Sequence, residues 1–102
     1  MVLHQIQQTL HGVYEITPAA GSAFFLRREY LTQVEPDELE VDKELSDDQS
    51  LDIMNAALCY SAEVAAMSYL SRSEHCRSAL YTKLLKKQID KNAVNSALDY
   101  LE

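Results

Sequence analysis

The chain has 102 residues, enough for one domain or part of one, with a single modest core. Apolar residues make up 47%, and there are only two glycines and two prolines, so a globular protein is expected and an all-β fold, which needs many turns, is disfavoured. The net charge of −7 argues against a protein that simply coats nucleic acid, and two cysteines, Cys59 and Cys76, suggest neither a disulfide framework nor a metal quartet. The start has no basic segment leading into an apolar one. No stretch approaches the roughly 20 apolar residues that span a bilayer. A reducing cytoplasm is the compartment these features fit, with no membrane contact.

In chain order, residues 1–12 are polar with isolated apolar positions, which reads as a frayed end. Val13-Tyr14-Glu15-Ile16-Thr17 is a β-branched and aromatic run. Pro18 to Ser22 is a turn signal, and Ala23-Phe24-Phe25-Leu26 is a second apolar run. Two such runs across a short break predict a β-hairpin, which needs something to pack on. Arg27 to Val34 reads as a short helix ended near Pro36. Asp37 to Asp48 is acidic and reads as a solvated loop or helix start. The segment lacks the D-x-D-x-D-G spacing and the glycine of a Ca²⁺ loop.

Ser46 with Gln49 fits a capping box and opens a long helix over about 48–71. Its apolar residues fall into two stripes, Leu51, Met54, Leu58, Ala62, Ala65 and Tyr69, and Ile53, Ala57, Tyr60, Val64 and Met67. Two apolar faces predict burial on two sides. A second helix over about 74–88 has Leu80, Tyr81, Leu84 and Leu85 as its apolar stripe, with Lys83, Lys86 and Lys87 on an arc away from it. A third helix begins near Asp90, a suitable N-cap, and has Ala93, Val94, Ala97, Leu98 and Leu101 as its core face. Short linkers imply a compact three-helix unit.

The fold class expected is therefore mainly α: a three-helix repeat unit preceded by a small N-terminal β-hairpin module. The expected divisions are 1–34 for the hairpin module with its short helix, 35–49 for an acidic connector and 50–102 for the three helices. Charge is split along the chain. From Glu35 to Glu63 there are ten acidic residues and one basic, and from Ala66 to Glu102 there are six basic and four acidic.

The stretch Tyr69-Leu70-Ser71-Arg72, then Glu74-His75, then Leu80 with Lys83-Leu84-Leu85-Lys86-Lys87, and finally Val94 and Leu98, resembles the first helical repeat of the RecX family, bacterial regulators of the RecA recombinase. The close match covers about a third of the chain. One departure stands out: Cys76 and Ala79 occupy places where the family pattern has a serine N-cap and an acid. A weaker cap is expected, or one supplied by Ser71 or Ser73. The resemblance implies a fold of three tandem repeats in the intact family, of which this chain holds the first. A lone repeat would tend to self-associate, because repeats bury their faces on neighbours. It also implies inhibition of RecA by binding the RecA–DNA filament.

Arg72, Arg77, Lys83, Lys86, Lys87 and Lys91 form the charged group that could contact such a filament, through acidic protein or DNA phosphate. An ordinary solvated face accounts for the same residues. No nucleophile–base arrangement is readable, since His75 and Cys76 are neighbours that point in different directions on a helix. Gly21 stands alone, so no phosphate loop is present. Neither a catalytic activity nor a cofactor is expected. Tyr60, Tyr69, Tyr81 and Tyr100 sit among leucines and alanines at helical spacing, which suits packing better than base stacking. Two other functions remain open: a helix-turn-helix-like DNA-binding module, and a small helical adaptor that uses the acidic segment.

Overall fold

His11-Gly12 forms the two-residue turn that organises the start of the molecule. Gly12 lies in the left-handed region at φ +79°, which costs glycine nothing. A Cβ there would also stand 3.1 Å from a Glu29 carboxylate oxygen. The turn joins β1 (Leu3–Leu10) to β2 (Val13–Pro18), which pairs in turn with β3 (Phe24–Arg27) in an antiparallel sheet of order β1-β2-β3. The expected hairpin is β2–β3. The expected frayed end is wrong: residues 3–10 are a strand. Their apolar content is low because most of the strand's side chains are exposed, while Leu3 is fully buried and Ile6 pairs with Ile16. Backbone pairing with β2 orders the strand without an apolar face of its own.

The computed structural model describes residues 1–102 and resolves them into two compact units, Met1–Ala57 and Leu58–Glu102. In the first unit, Arg28–Tyr30 is one 3-10 turn and Leu31 is already extended, so the expected helix over 27–34 is absent. Its reason lies in Asp52, described below, which takes the backbone N–H groups of Thr32, Gln33 and Val34. Residues 35–46 are not a freely solvated loop. Val2 and Glu44 form an antiparallel bridge, Asp42 N–H donates to the Leu3 carbonyl at 2.8 Å, and Leu45 is buried. Asp42 adopts a left-handed conformation at φ 64° to make that return.

Helix α1 (Asp47–Arg72) begins in the first unit and ends in the second. Its capping box is formed as expected: Gln49 N–H donates to Ser46 Oγ at 3.1 Å, and Ser46 N–H donates to Gln49 Oε1 at 3.0 Å. The expectation of two buried stripes fails. Leu51, Met54, Leu58, Val64 and Met67 are exposed, whereas Ile53, Ala56, Ala57, Cys59, Ala62 and Ala66 are buried. The inner face is built mostly of small side chains, which let neighbouring backbone approach closely. Periodicity of large apolar residues cannot mark such a face.

The second unit packs the end of α1 with α2 (Arg77–Lys86) and α3 (Lys91–Leu101). Its core is Ala66, Leu80, Leu84, Val94 and Leu98, with Tyr69, Tyr81, Ile89 and Leu101 against it. The expected stripes of the second and third helices are those seen, except that Leu85 faces solvent. Asp90 caps α3 by accepting from the N–H groups of Asn92 at 3.1 Å and Ala93 at 3.2 Å. Between α2 and α3, Gln88 takes the left-handed position at φ 63°, where glycine is usual, and Ile89 N–H donates back to the Leu84 carbonyl.

Candidate functional site

Leu80 and Leu84 point inward from α2, and this fixes the rest of that helix. Lys83 and Lys87, four residues apart, stand together on one side of the Leu84 stripe. Tyr69, three residues from the end of α1, packs its ring against the core and offers the remainder to the same side. Three cations gather on that ring. Arg72 Cζ lies 5.1 Å from its centroid, Lys83 Nζ 5.2 Å and Lys87 Nζ 5.0 Å. Arg72 is held in place by its Nε, which donates to the Ser68 carbonyl at 3.2 Å near the end of the helix.

His75, in the linker between α1 and α2, completes the group, its ring 5.8 Å from that of Tyr69. Its Nδ1 lies 2.9 Å from the Ser73 carbonyl and its Nε2 lies 2.7 Å from Lys83 Nζ. A carbonyl can only accept and an ammonium can only donate, so Nδ1 carries the proton and Nε2 accepts from Lys83. These side chains border an open cleft of about 230 Å³, lined by Tyr69, Arg72, Ser73, His75 and Lys83. None of Arg72, Lys83 or Lys87 forms an ion pair with a carboxylate.

The six basic residues singled out in the sequence are thus divided. Arg72, Lys83 and Lys87 converge. Arg77 does not join them: its guanidinium pairs with Asp99 at 2.7 Å and Glu102 at 2.8 Å, at the end of α3. The Glu102 and Asp99 carboxylates raise its already high pKa further. Lys86 and Lys91 are exposed and stand apart, without a hydrogen bond or ion pair. Tyr69, His75 and Ser73 are the members that charge patterning passed over. They lie inside the quoted Tyr69–His75 stretch, but only the path of the linker brings them to the lysines.

Cys76 sits at the N-cap of α2 without closing a side-chain cap, in keeping with the weak cap expected there. Neither serine replaces it: the Ser71 hydroxyl is spent on the Ser68 carbonyl at 2.8 Å, and α2 has no side-chain cap from Ser73. The exposed Cys76 thiol lies 3.3 Å from the Ser78 hydroxyl. That hydroxyl, followed by the Ala79 and Ser78 N–H groups at the helix start, pulls its pKa down. Cys59 is buried, and burial pushes its thiol pKa up. No group of three His, Cys, Asp or Glu residues is placed to hold a metal ion. No helix is long and apolar enough to cross a membrane.

Residues 62–101 match the family model described as RecX, first three-helix domain. These are the residues of the second unit, from the end of α1 through α3. A crystal structure of the regulatory protein RecX is also similar to this chain, with a TM-score of 0.64 and 25% identity over 98% of the chain. Both findings are likenesses to RecX, in sequence over residues 62–101 and in fold over nearly the whole chain. The cationic cluster lies within the stretch that matches the RecX first three-helix domain. The chain spans 48% of the length of that RecX structure, about half. No curated protein matches the chain.

Proposed function

We propose that this chain is a filament-contacting part of a RecX-type regulator, which lowers RecA activity in the cytosol by binding the RecA–DNA filament and performs no chemistry of its own. The supporting observation is that the stretch matching the RecX first three-helix domain, 62–101, is also the stretch that carries the unneutralised basic cluster. The chain as a whole is acidic, with 16 acidic against nine basic residues, so a local cationic face is the surface suited to a polyanionic assembly. Lys83 and Lys87 with Arg72 form its centre. Lys86 and Lys91 extend it, and Arg77 contributes through a guanidinium already shared with two carboxylates.

Titration against RecA-dependent ATP hydrolysis and strand exchange tests this reading. Reversal of Lys83, Lys86 and Lys87 to glutamate in the full-length protein weakens inhibition and leaves the helical circular-dichroism signal intact. Inhibition unchanged at physiological salt would return the lysines to the role of a solvated face.

A further inference from the structure

Any two of the three cations around Tyr69 lie within about 10 Å of each other, since each is within 5.2 Å of one ring centroid. That separation is on the order of the Debye length at physiological salt, so they repel one another. The chain has acidic residues to spare, 16 against nine basic, yet supplies none here. Lys83 instead donates to a neutral imidazole nitrogen, a weaker partner than a carboxylate. The tyrosine face offsets only part of the repulsion, because an exposed cation–π contact is weak. Beside the cluster is an open cleft whose lining includes a guanidinium, an ammonium, a hydroxyl and an imidazole.

We propose that this cleft is a phosphate-binding site, in which Arg72 and Lys83 share one phosphate group with Ser73 and His75 at its edge, and Lys87, against the same tyrosine ring, adds positive charge beside it. The donors come from the end of α1, from the linker and from α2. A tetrahedral phosphate offers acceptor oxygens in several directions, whereas a carboxylate offers two oxygens in a plane. Arg72 supplies the fork that pairs with two oxygens, and the lysines supply point charges. Lys83 is free to leave His75 Nε2 for a phosphate oxygen, since an ammonium has three donors. The phosphate comes from a nucleic-acid backbone or from a small phosphate compound. The inference deepens the reading of the same basic face given above, and its test contains no recombinase, so either can fail without the other.

The test is a nuclear magnetic resonance titration of the isotope-labelled chain with three probes at matched ionic strength: inorganic pyrophosphate, a short oligothymidylate and an oligoglutamate peptide. Tyr69, Ser73 and His75 resonances shift with both phosphate probes, and oligoglutamate binds at least about tenfold more weakly. Lys83→Gln weakens phosphate binding by about tenfold, the loss of one charge-assisted contact. It also lowers the slope of log affinity against log salt for the oligonucleotide by about one. Lys83→Arg keeps most of the affinity, and Lys43→Gln, at an exposed lysine outside residues 62–101, keeps all of it. Tighter binding of the oligonucleotide than of pyrophosphate assigns the site to a nucleic-acid backbone, and the reverse assigns it to a small phosphate compound. Shifts spread equally over Lys86 and Lys91, oligoglutamate binding as tightly as the phosphates, or an unchanged affinity in a folded Lys83→Gln variant would overturn the proposal.

Discussion

Replacing Asp52 by asparagine probes the device that ties the chain before the acidic segment to the first turns of α1. Asp52 is 6% exposed, and its two oxygens accept from the N–H groups of Thr32, Gln33 and Val34 and from the Thr32 hydroxyl, at 2.8–3.2 Å. Asparagine keeps one acceptor oxygen and turns an amide donor towards the remaining donors. If that oxygen stays with Gln33 and Val34, the Thr32 N–H loses its acceptor. Hydrogen bonds to a charged group contribute about 1.5–3 kcal/mol and neutral ones about 0.5–1.5 kcal/mol. Losing the charge on the retained bonds and orphaning one N–H therefore costs about 2–4 kcal/mol. Burial by itself would raise the Asp52 pKa, but the hydrogen bonds from Val34, Gln33 and Thr32 outweigh it, and the net shift is below the ordinary 3.8. A carboxylate with a lowered folded pKa stabilises fully above its unfolded pKa, and that stabilisation is lost as pH falls through the folded value. Urea unfolding at neutral pH, with amide exchange at Gln33 and Val34 as the local reading, measures the loss. The variant also lacks that part of the acid dependence. A loss below about 0.5 kcal/mol, with the two amides still protected, would refute the assignment of this carboxylate as the anchor.

Three other outcomes follow from the packing and the thiol environments. Leu84→Ala removes a fully buried side chain from the three-helix core and destabilises by about 2–5 kcal/mol in denaturant titration. Gln88→Gly relieves a left-handed residue at the end of α2 and raises the stability measured the same way by about 0.5–1 kcal/mol. Iodoacetamide modifies Cys76 well before Cys59, because the first thiol is exposed with a lowered pKa and the second is buried with a raised one. Mass spectrometry of the partly modified chain reads the order.

Local chemistry was legible wherever neighbours in sequence are also the partners. Ser46 with Gln49 and Asp90 with its own helix are of this kind, and so are the α2 and α3 core faces and the β2–β3 hairpin. Each depends on a span of a few residues, where backbone geometry leaves little choice. The RecX-type pattern was legible for the same reason, since it resides in the helical spacing of Tyr69 to Leu98.

Tertiary structure decided what depends on residues far apart in the chain. Strand β1 exists because β2 pairs with it, and nothing in its polar sequence announces a strand. The short helix expected over 27–34 gives way because Asp52, about 20 residues on, takes backbone donors a helix would have used. The inner face of α1 follows its alanines rather than its leucines and methionines, since close approach rather than side-chain size governs burial there. Six basic residues look alike in sequence. Folding pairs Arg77 with two carboxylates of α3 and leaves Lys86 and Lys91 in solvent. It brings Arg72, Lys83 and Lys87 onto a tyrosine, because the turn through His75 sets the end of α1 beside α2. Sequence determines which charges exist, but their separation in space, on which electrostatic free energy depends, is set only when the helices pack.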